Sequence, residues 1–258
     1  MLKALLKNFV VRACGPHIQQ TLRRFYLTRQ IVNSQSFREP EMQTLKTLVS
    51  RGDCVADIGA NVGVYTKELS LLVGSQGKVY SFEPVSENYA VLRNVIRTAR
   101  LHNVQAFHIA LGSDSKQARI VIPDLGGFAG YYWAHFAQPG DSGRFELVNV
   151  QTLDGLAGEQ TLQQLDFIKC DVEGSELEVL HGGAELIQRW KPGWLMEVSQ
   201  KTSTEVFNFF CEKLGYYAYV YNGGLRQTTG YRDKEYSNYF FLHHSSAVWR
   251  RAQALIVP

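Results

Sequence analysis

With 258 residues, 45% of them apolar and 12% aromatic, the chain is long enough to bury one large core and short for two. A net charge of +3, with Lys and Arg scattered rather than massed on one stretch, gives no electrostatic reason to expect a nucleic-acid partner. Cys14, Cys54, Cys170 and Cys211 stand far apart with no CxxC pair, which argues against both a zinc site and a disulfide framework.

The chain opens on MLKALLKNFVVRACG, where Leu2, Leu5, Leu6, Phe9, Val10 and Ala13 share one helical face interrupted by Lys3, Lys7 and Arg12. The apolar run is too short to span a bilayer and lacks a cleavage site. Residues 1–13 read as a docking helix on the body of the protein or as a surface helix in weak peripheral contact with a membrane. No transmembrane segment is expected. Absent export signals and unpaired cysteines place the protein in the cytoplasm. Helical stretches follow near 17–30 and 40–50, so residues 1–50 form a helical extension packed on a main domain over 51–258.

From there strands and helices alternate. CVADIG, KVYSFEP, VQAFHIAL, DFIKCDV and WLMEVS read as strands; VYTKELSLL, SENYAVLRNVIRTAR, SELEVLHGG and TEVFNFFCEKLG read as helices. Such alternation implies a doubly wound, mostly parallel α/β sheet whose ligands sit outside the carboxyl ends of the strands. YYAYVYN and SNYFFLHH supply two closing aromatic strands. Between the third and fourth strands, about residues 118–150, the alternation breaks into an insertion of extra strands and an aromatic loop, GFAGYYWAHF, placed to wall the substrate side.

The strand-to-helix turn Asp57-Ile-Gly59-Ala-Asn61-Val-Gly63 lacks the GxGxxG spacing that cradles a pyrophosphate. Its acid ahead of the glycines disfavours phosphate and favours a cation, while the glycines let backbone approach a ligand. Glu83, ending the next strand, is placed to accept hydrogen bonds from two ribose hydroxyls. A phosphate-free nucleoside with a cationic amino-acid arm fits the pair: S-adenosylmethionine.

The stretches EPEMQTLKTLVSRGDCVADIGANVGVYT, YSFEPVSENYAVLRNVI, FHIALGSD, LDFIKCDVEGSELEVLHGG and WLMEVS, in this order over about residues 39–200, resemble the FkbM-type methyltransferases of the class I S-adenosylmethionine-dependent superfamily. The resemblance implies a Rossmann-like sheet of seven strands, the last antiparallel and supplied by SNYFFLHH. It also implies methyl transfer to oxygen, with a small-molecule or saccharide hydroxyl as acceptor. The cofactor would touch Asp57, Gly59, Asn61, Gly63 and Glu83, with Ala110 and Leu111 beside the adenine and Asp171 near the methyl group.

Attack on a sulfonium methyl requires an in-line hydroxyl and a group to take its proton. Asp171 at the end of the fourth strand, Glu197 at the end of the fifth and His135 in the aromatic loop are the candidate catalytic residues; Glu173 stands close by, where a helix dipole also favours an acid. Asp171 could equally hold the cofactor's ammonium. Asp171 and Glu197 resemble the divalent-metal site of catechol-type methyltransferases, but two acids fall short of an oxygen-ligand shell and no metal is assigned. N-methylation of an amine, or a cofactor-binding relative without turnover, are the competing readings.

Overall fold

The computed structural model describes residues 16–33, 39–124, 129–232 and 235–257. The helix expected in residues 1–13 lies outside them, as does Cys14. The extension enters as α1 (Pro16–Asn33), a 3-10 turn at Pro40–Gln43 and the one-turn α2 (Leu45–Leu48).

The alternating segment then builds β1 (Cys54–Ile58), α3 (Val64–Val73), β2 (Lys78–Phe82), α4 (Ser86–Thr98) and β3 (Val104–Phe107). The insertion holds β4 (Ala110–Leu111), β5 (Lys116–Pro123), β6 (His135–Phe136) and β7 (Gly143–Gln151). After it come α5 (Leu153–Gly158), β8 (Phe167–Cys170), α6 (Glu176–His181), α7 (Ala184–Trp190) and β9 (Gly193–Glu197). The chain closes with α8 (Ser203–Phe207), which runs on as a π-helical stretch to Lys213, and then β10 (Tyr216–Tyr221), β11 (Leu225–Thr228), β12 (Asn238–His243) and α9 (Ala247–Ala252).

The main sheet has the order β11-β10-β12-β9-β8-β1-β2-β3. The five strands from β9 to β3 are parallel, and β12 runs against them, as the family resemblance implies for SNYFFLHH. The eighth strand, β11, pairs at the outer edge of β10 and adds one strand to the expected seven. Its sequence, LRQT, carries too few apolar residues to announce a strand.

Strand alternation divides the sheet into two apolar faces. Ala56, Ile58, Tyr80, Phe82, Ile168, Cys170 and Met196 pack on one side with the helices from α5 to α8 and their continuation. Val55, Val79, Phe167, Leu195 and Phe240 pack on the other with α2, α3 and α9. Parallel strands buried on both faces account for the near-continuous apolar runs of the sequence. Cys54, Cys170 and Cys211 are free thiols, with Cys170 fully buried.

VQAFHIAL, expected as one strand, is two. β3 ends at Phe107, and the chain turns at His108, which stacks on Tyr89 at 4.6 Å, before Ala110 pairs with Val150 in a second sheet of order β4-β7-β5-β6. That sheet is the insertion, and its own small core of Ala110, Ile120, Ile122, Val148 and Val150 includes Val85 from the start of α4. The helix α1 packs on α4 through Leu27 and Ile31 against Val91 and Val95.

Candidate active site

A cleft of about 680 Å³, open mouth included, lies at the carboxyl ends of β1, β2 and β8, with the insertion as its far wall. Its lining brings together Gly59, Asn61, Glu83, Ala110, Leu111, Asp171, Glu173 and His135, from segments far apart in the chain.

The floor is the turn after β1. Gly59 has φ +74°, and a Cβ placed there would lie 1.8 Å from the carbonyl oxygen of Asp171. This glycine is therefore required by the strand end passing over it as well as by its backbone conformation. Asn61 adopts the left-handed conformation (φ 51°), which asparagine tolerates better than most residues. Its backbone N–H donates to Glu83 Oε2 at 2.8 Å, and the Val85 N–H donates to Oε1 at 2.9 Å. Burial pushes the Glu83 carboxyl up to about 7 against these two hydrogen bonds. Each oxygen keeps a lone pair for a further donor.

Asp57 and Gly63, expected at the cofactor, are not among the residues that line the cleft. Asp57 is fully buried beneath the turn, between Ser81 and Lys169 on the neighbouring strands. Thr66 Oγ1 donates to Asp57 Oδ2 at 2.6 Å and stands 2.9 Å from Ser81 Oγ, which must then be the donor of that pair. Gly63 (φ +91°) caps α3 and closes on Leu92, where a Cβ would meet Cδ1 at 2.8 Å. Both residues shape the turn from behind.

Lys169 was invisible as a site residue in the sequence, because a lone lysine in an apolar run reads as an edge cation. It is buried, with Nζ 3.2 Å from Asp171 Oδ2, 3.3 Å from the Gly59 carbonyl and 3.9 Å from Asp57 Oδ1. Burial pulls its ammonium down, yet Asp171 and Asp57 outweigh that and raise it, so it stays charged. Only the register that sets Asp57 opposite Lys169 reveals the pairing.

Asp171, Glu173 and Glu197 each bring a carboxylate oxygen within 4.8 Å of the others'. Glu173, which the sequence sets close to Asp171, is thus the third acid of the group. Burial works against ionised Asp171, but Lys169 and a hydrogen bond with Glu197 hold it below the usual range. Glu197 is pushed up to about 8 by burial, by that hydrogen bond and by the surrounding acids, so at neutral pH it carries the proton of the pair. Glu173 (φ 52°) rises to about 7 through partial burial and the nearby charges of Asp171 and Glu176. Ser175 and Glu176 begin α6, as their helix-start character suggests.

His135 lines the cleft, with an oxygen beside each ring nitrogen. Nδ1 lies 2.9 Å from the Trp133 carbonyl, to which it must donate, and Nε2 lies 3.3 Å from Asp141 Oδ2. This geometry ties the aromatic loop together, and Nε2 can donate to Asp141 only when the ring is protonated.

The residues present fit S-adenosylmethionine. Asn61 Oδ1 is buried at the cleft wall without a hydrogen-bond partner, an acceptor awaiting a donor. Glu83 offers spare lone pairs for ribose hydroxyls. Phe82, Ile109, Ala110 and Leu111 make an apolar slot for a base.

Comparison with known proteins agrees. A family described as Methyltransferase FkbM domain matches residues 57–221. Among solved structures, the methyltransferase FkbM from Methylobacillus flagellatus KT aligns at 16% identity with a TM-score of 0.52, covering 86% of this chain and 59% of that one. This chain therefore spans less than two thirds of that protein's length. A SAM-dependent O-methyltransferase from Thermotoga maritima aligns at 14% identity over 83% of this chain and 69% of that one, with a TM-score of 0.46. A precorrin-6y C5,15-methyltransferase from Geobacter metallireducens GS-15 aligns at 15% over 81% and 90%, with a TM-score of 0.45. No curated protein matches. At these identities a structural likeness shows fold alone, and the family match over residues 57–221 carries the assignment: the chain belongs to the FkbM methyltransferase family.

Proposed function

We propose that the protein transfers the methyl group of S-adenosylmethionine to a hydroxyl of a small molecule or glycan. The observation that carries this reading is the meeting of Asp171, Glu173 and Glu197 at the edge of the cleft. When bound, the cofactor supplies an electrophilic methyl on a sulfonium sulfur. Asn61 and Glu83 would hold its polar groups, and Ala110 and Leu111 its base. Asp171, kept ionised by Lys169, would orient the acceptor hydroxyl or the ammonium of the amino-acid arm. Glu173, pushed up to about 7, has the affinity a base needs to take a proton at neutral pH.

The acidic surroundings favour oxygen over nitrogen. An amine beside several carboxylates would hold its own proton and lose its nucleophilic lone pair. A hydroxyl instead gains from a nearby proton acceptor. The Tyr131 and Tyr132 side of the cleft offers ring faces that suit a sugar.

Calorimetry with S-adenosylmethionine, followed by mass analysis of products from a panel of hydroxylated and amino acceptors, tests the reading. Cofactor binding with mass gain on hydroxyl compounds is expected. Methylation of amines alone, or no cofactor binding, would refute it.

A further inference from the structure

Charge in this chain is segregated in a way that its small net value conceals. Residues 1–38 hold seven of the 27 Lys and Arg residues and no Asp or Glu, leaving 20 cations against 24 acids in the rest. The positive segment contains α1, and α1 has two apolar faces. Leu27 and Ile31 are spent on α4. Ile18, Leu22 and Phe25 form a second row that is 54%, 45% and 66% exposed, with Tyr26 beside it at 55%. Exposed Arg29 continues that row by one turn.

The helix is also bound to the wall of the cleft. The Arg23 guanidinium lies 4.4 Å over the ring of Tyr131 and donates to Asn88 Oδ1 at 3.0 Å. Asn88 Nδ2 donates in turn to the Tyr131 carbonyl at 2.9 Å. Arg24 pairs with Glu87 at 2.7 Å. The loop so held presents Tyr132 and Trp133, 45% and 54% exposed, next to the cleft mouth.

We propose that α1 docks the protein on an anionic lipid bilayer. Aliphatic and aromatic side chains exposed on a helix in an acid-free, cationic segment are what the interface of a charged membrane selects. Tyr and Trp at the neighbouring loop suit the headgroup level. A nucleic acid would use the cations but leave Ile18, Leu22 and Phe25 in water. The fifteen residues ahead of α1 repeat the chemistry, with Leu2, Leu5, Leu6 and Phe9 among Lys3, Lys7 and Arg12. No described helix is long and apolar enough to cross a membrane. Docking does not depend on methyl transfer.

Flotation of the full chain with phosphatidylcholine vesicles, with and without phosphatidylglycerol, tests this. Recovery with the anionic vesicles should exceed that with the neutral ones by about tenfold and weaken with salt. Leu22→Glu and Phe25→Glu, both at exposed positions, should abolish recovery while leaving cofactor affinity by calorimetry unchanged. Equal flotation of wild type and the two variants, or no flotation of wild type, would overturn the proposal. So would a wild-type dimer in light scattering that the same substitutions split, since the row would then be covered by a second copy, or displacement of the vesicles by stoichiometric RNA.

Discussion

Lys169 and Asp171 stand two residues apart on one strand end and meet at 3.2 Å, with Asp57 of the adjacent strand 3.9 Å from the same ammonium. One buried cation thus serves two carboxylates, one structural and one at the cleft. Lys169→Met would leave Asp57 buried without its counter-charge, and losing one partner of such a pair costs about 3–5 kcal/mol. Urea denaturation should show that loss, and Asp57→Asn in the same background should recover part of it. Unchanged stability in Lys169→Met would mean that the ion pair contributes nothing.

Gly59 and Gly174 separate two reasons for a glycine. Both have positive φ, but a Cβ on Gly59 would strike the Asp171 backbone, whereas one on Gly174 would meet nothing within 4 Å. Gly174→Ala should cost about 1–2 kcal/mol from conformation alone. Gly59→Ala adds a clash that no rotamer relieves, worth about 1–3 kcal/mol more and displacing the strand end. Denaturation and cofactor calorimetry on the pair should find Gly59→Ala less stable and unable to bind, with Gly174→Ala binding normally.

The parts of this site legible in the sequence are those fixed locally. Glycine spacing and strand ends pointed to Gly59, Asn61, Glu83 and Asp171, and the family resemblance to Ala110 and Leu111, all on the cleft wall, without any knowledge of strand order. The burial of Asp57 is not legible locally, because it depends on Thr66, Ser81 and Lys169 arriving beneath the turn. Lys169 itself is a matter of parallel register, which no local pattern shows. β3 and β4 were merged because no glycine or proline marks the turn at His108. Glu173 joined Asp171 and Glu197 only through a positive φ that bends the chain back after β8.

Glu83, Glu173 and Glu197 all hold protons more tightly in the folded chain, at about 7, 7 and 8 against an ordinary 4.5. A raised carboxyl contributes stability that is complete below the unfolded value and is lost as pH rises through the folded one. The ligand-free protein should therefore lose thermal stability from these groups as pH climbs from 4.5 through 8. Asp171, held low by Lys169, acts in the opposite sense and only at acid pH. Glu83→Gln removes one of the titrations and should flatten the melting-temperature profile. A profile equally steep in the variant would exclude Glu83 as a source.

If Glu173 takes the acceptor proton, it must be ionised to act. The rate constant kcat/KM should then rise as pH passes about 7 and level above it. Glu173→Gln should lower kcat by about 10²–10⁴-fold and erase that limb, while cofactor affinity stays close to wild type. Retention of the limb in Glu173→Gln would move the base elsewhere in the cluster.

His135 offers the sharpest discrimination among the candidate bases. With Nδ1 committed to the Trp133 carbonyl and Nε2 facing Asp141, its ring braces the loop that carries Tyr131 and Tyr132. His135→Ala should loosen that wall, raising the acceptor KM several-fold, and leave both kcat and the shape of its pH profile nearly intact. Asp141→Asn should reproduce the effect in part, because it weakens the same brace without touching the cleft. A base would behave otherwise: kcat would fall and the limb near pH 7 would vanish in His135→Ala while surviving in Glu173→Gln. Steady-state kinetics of these three variants across pH therefore assign the proton acceptor to the carboxylate or to the imidazole.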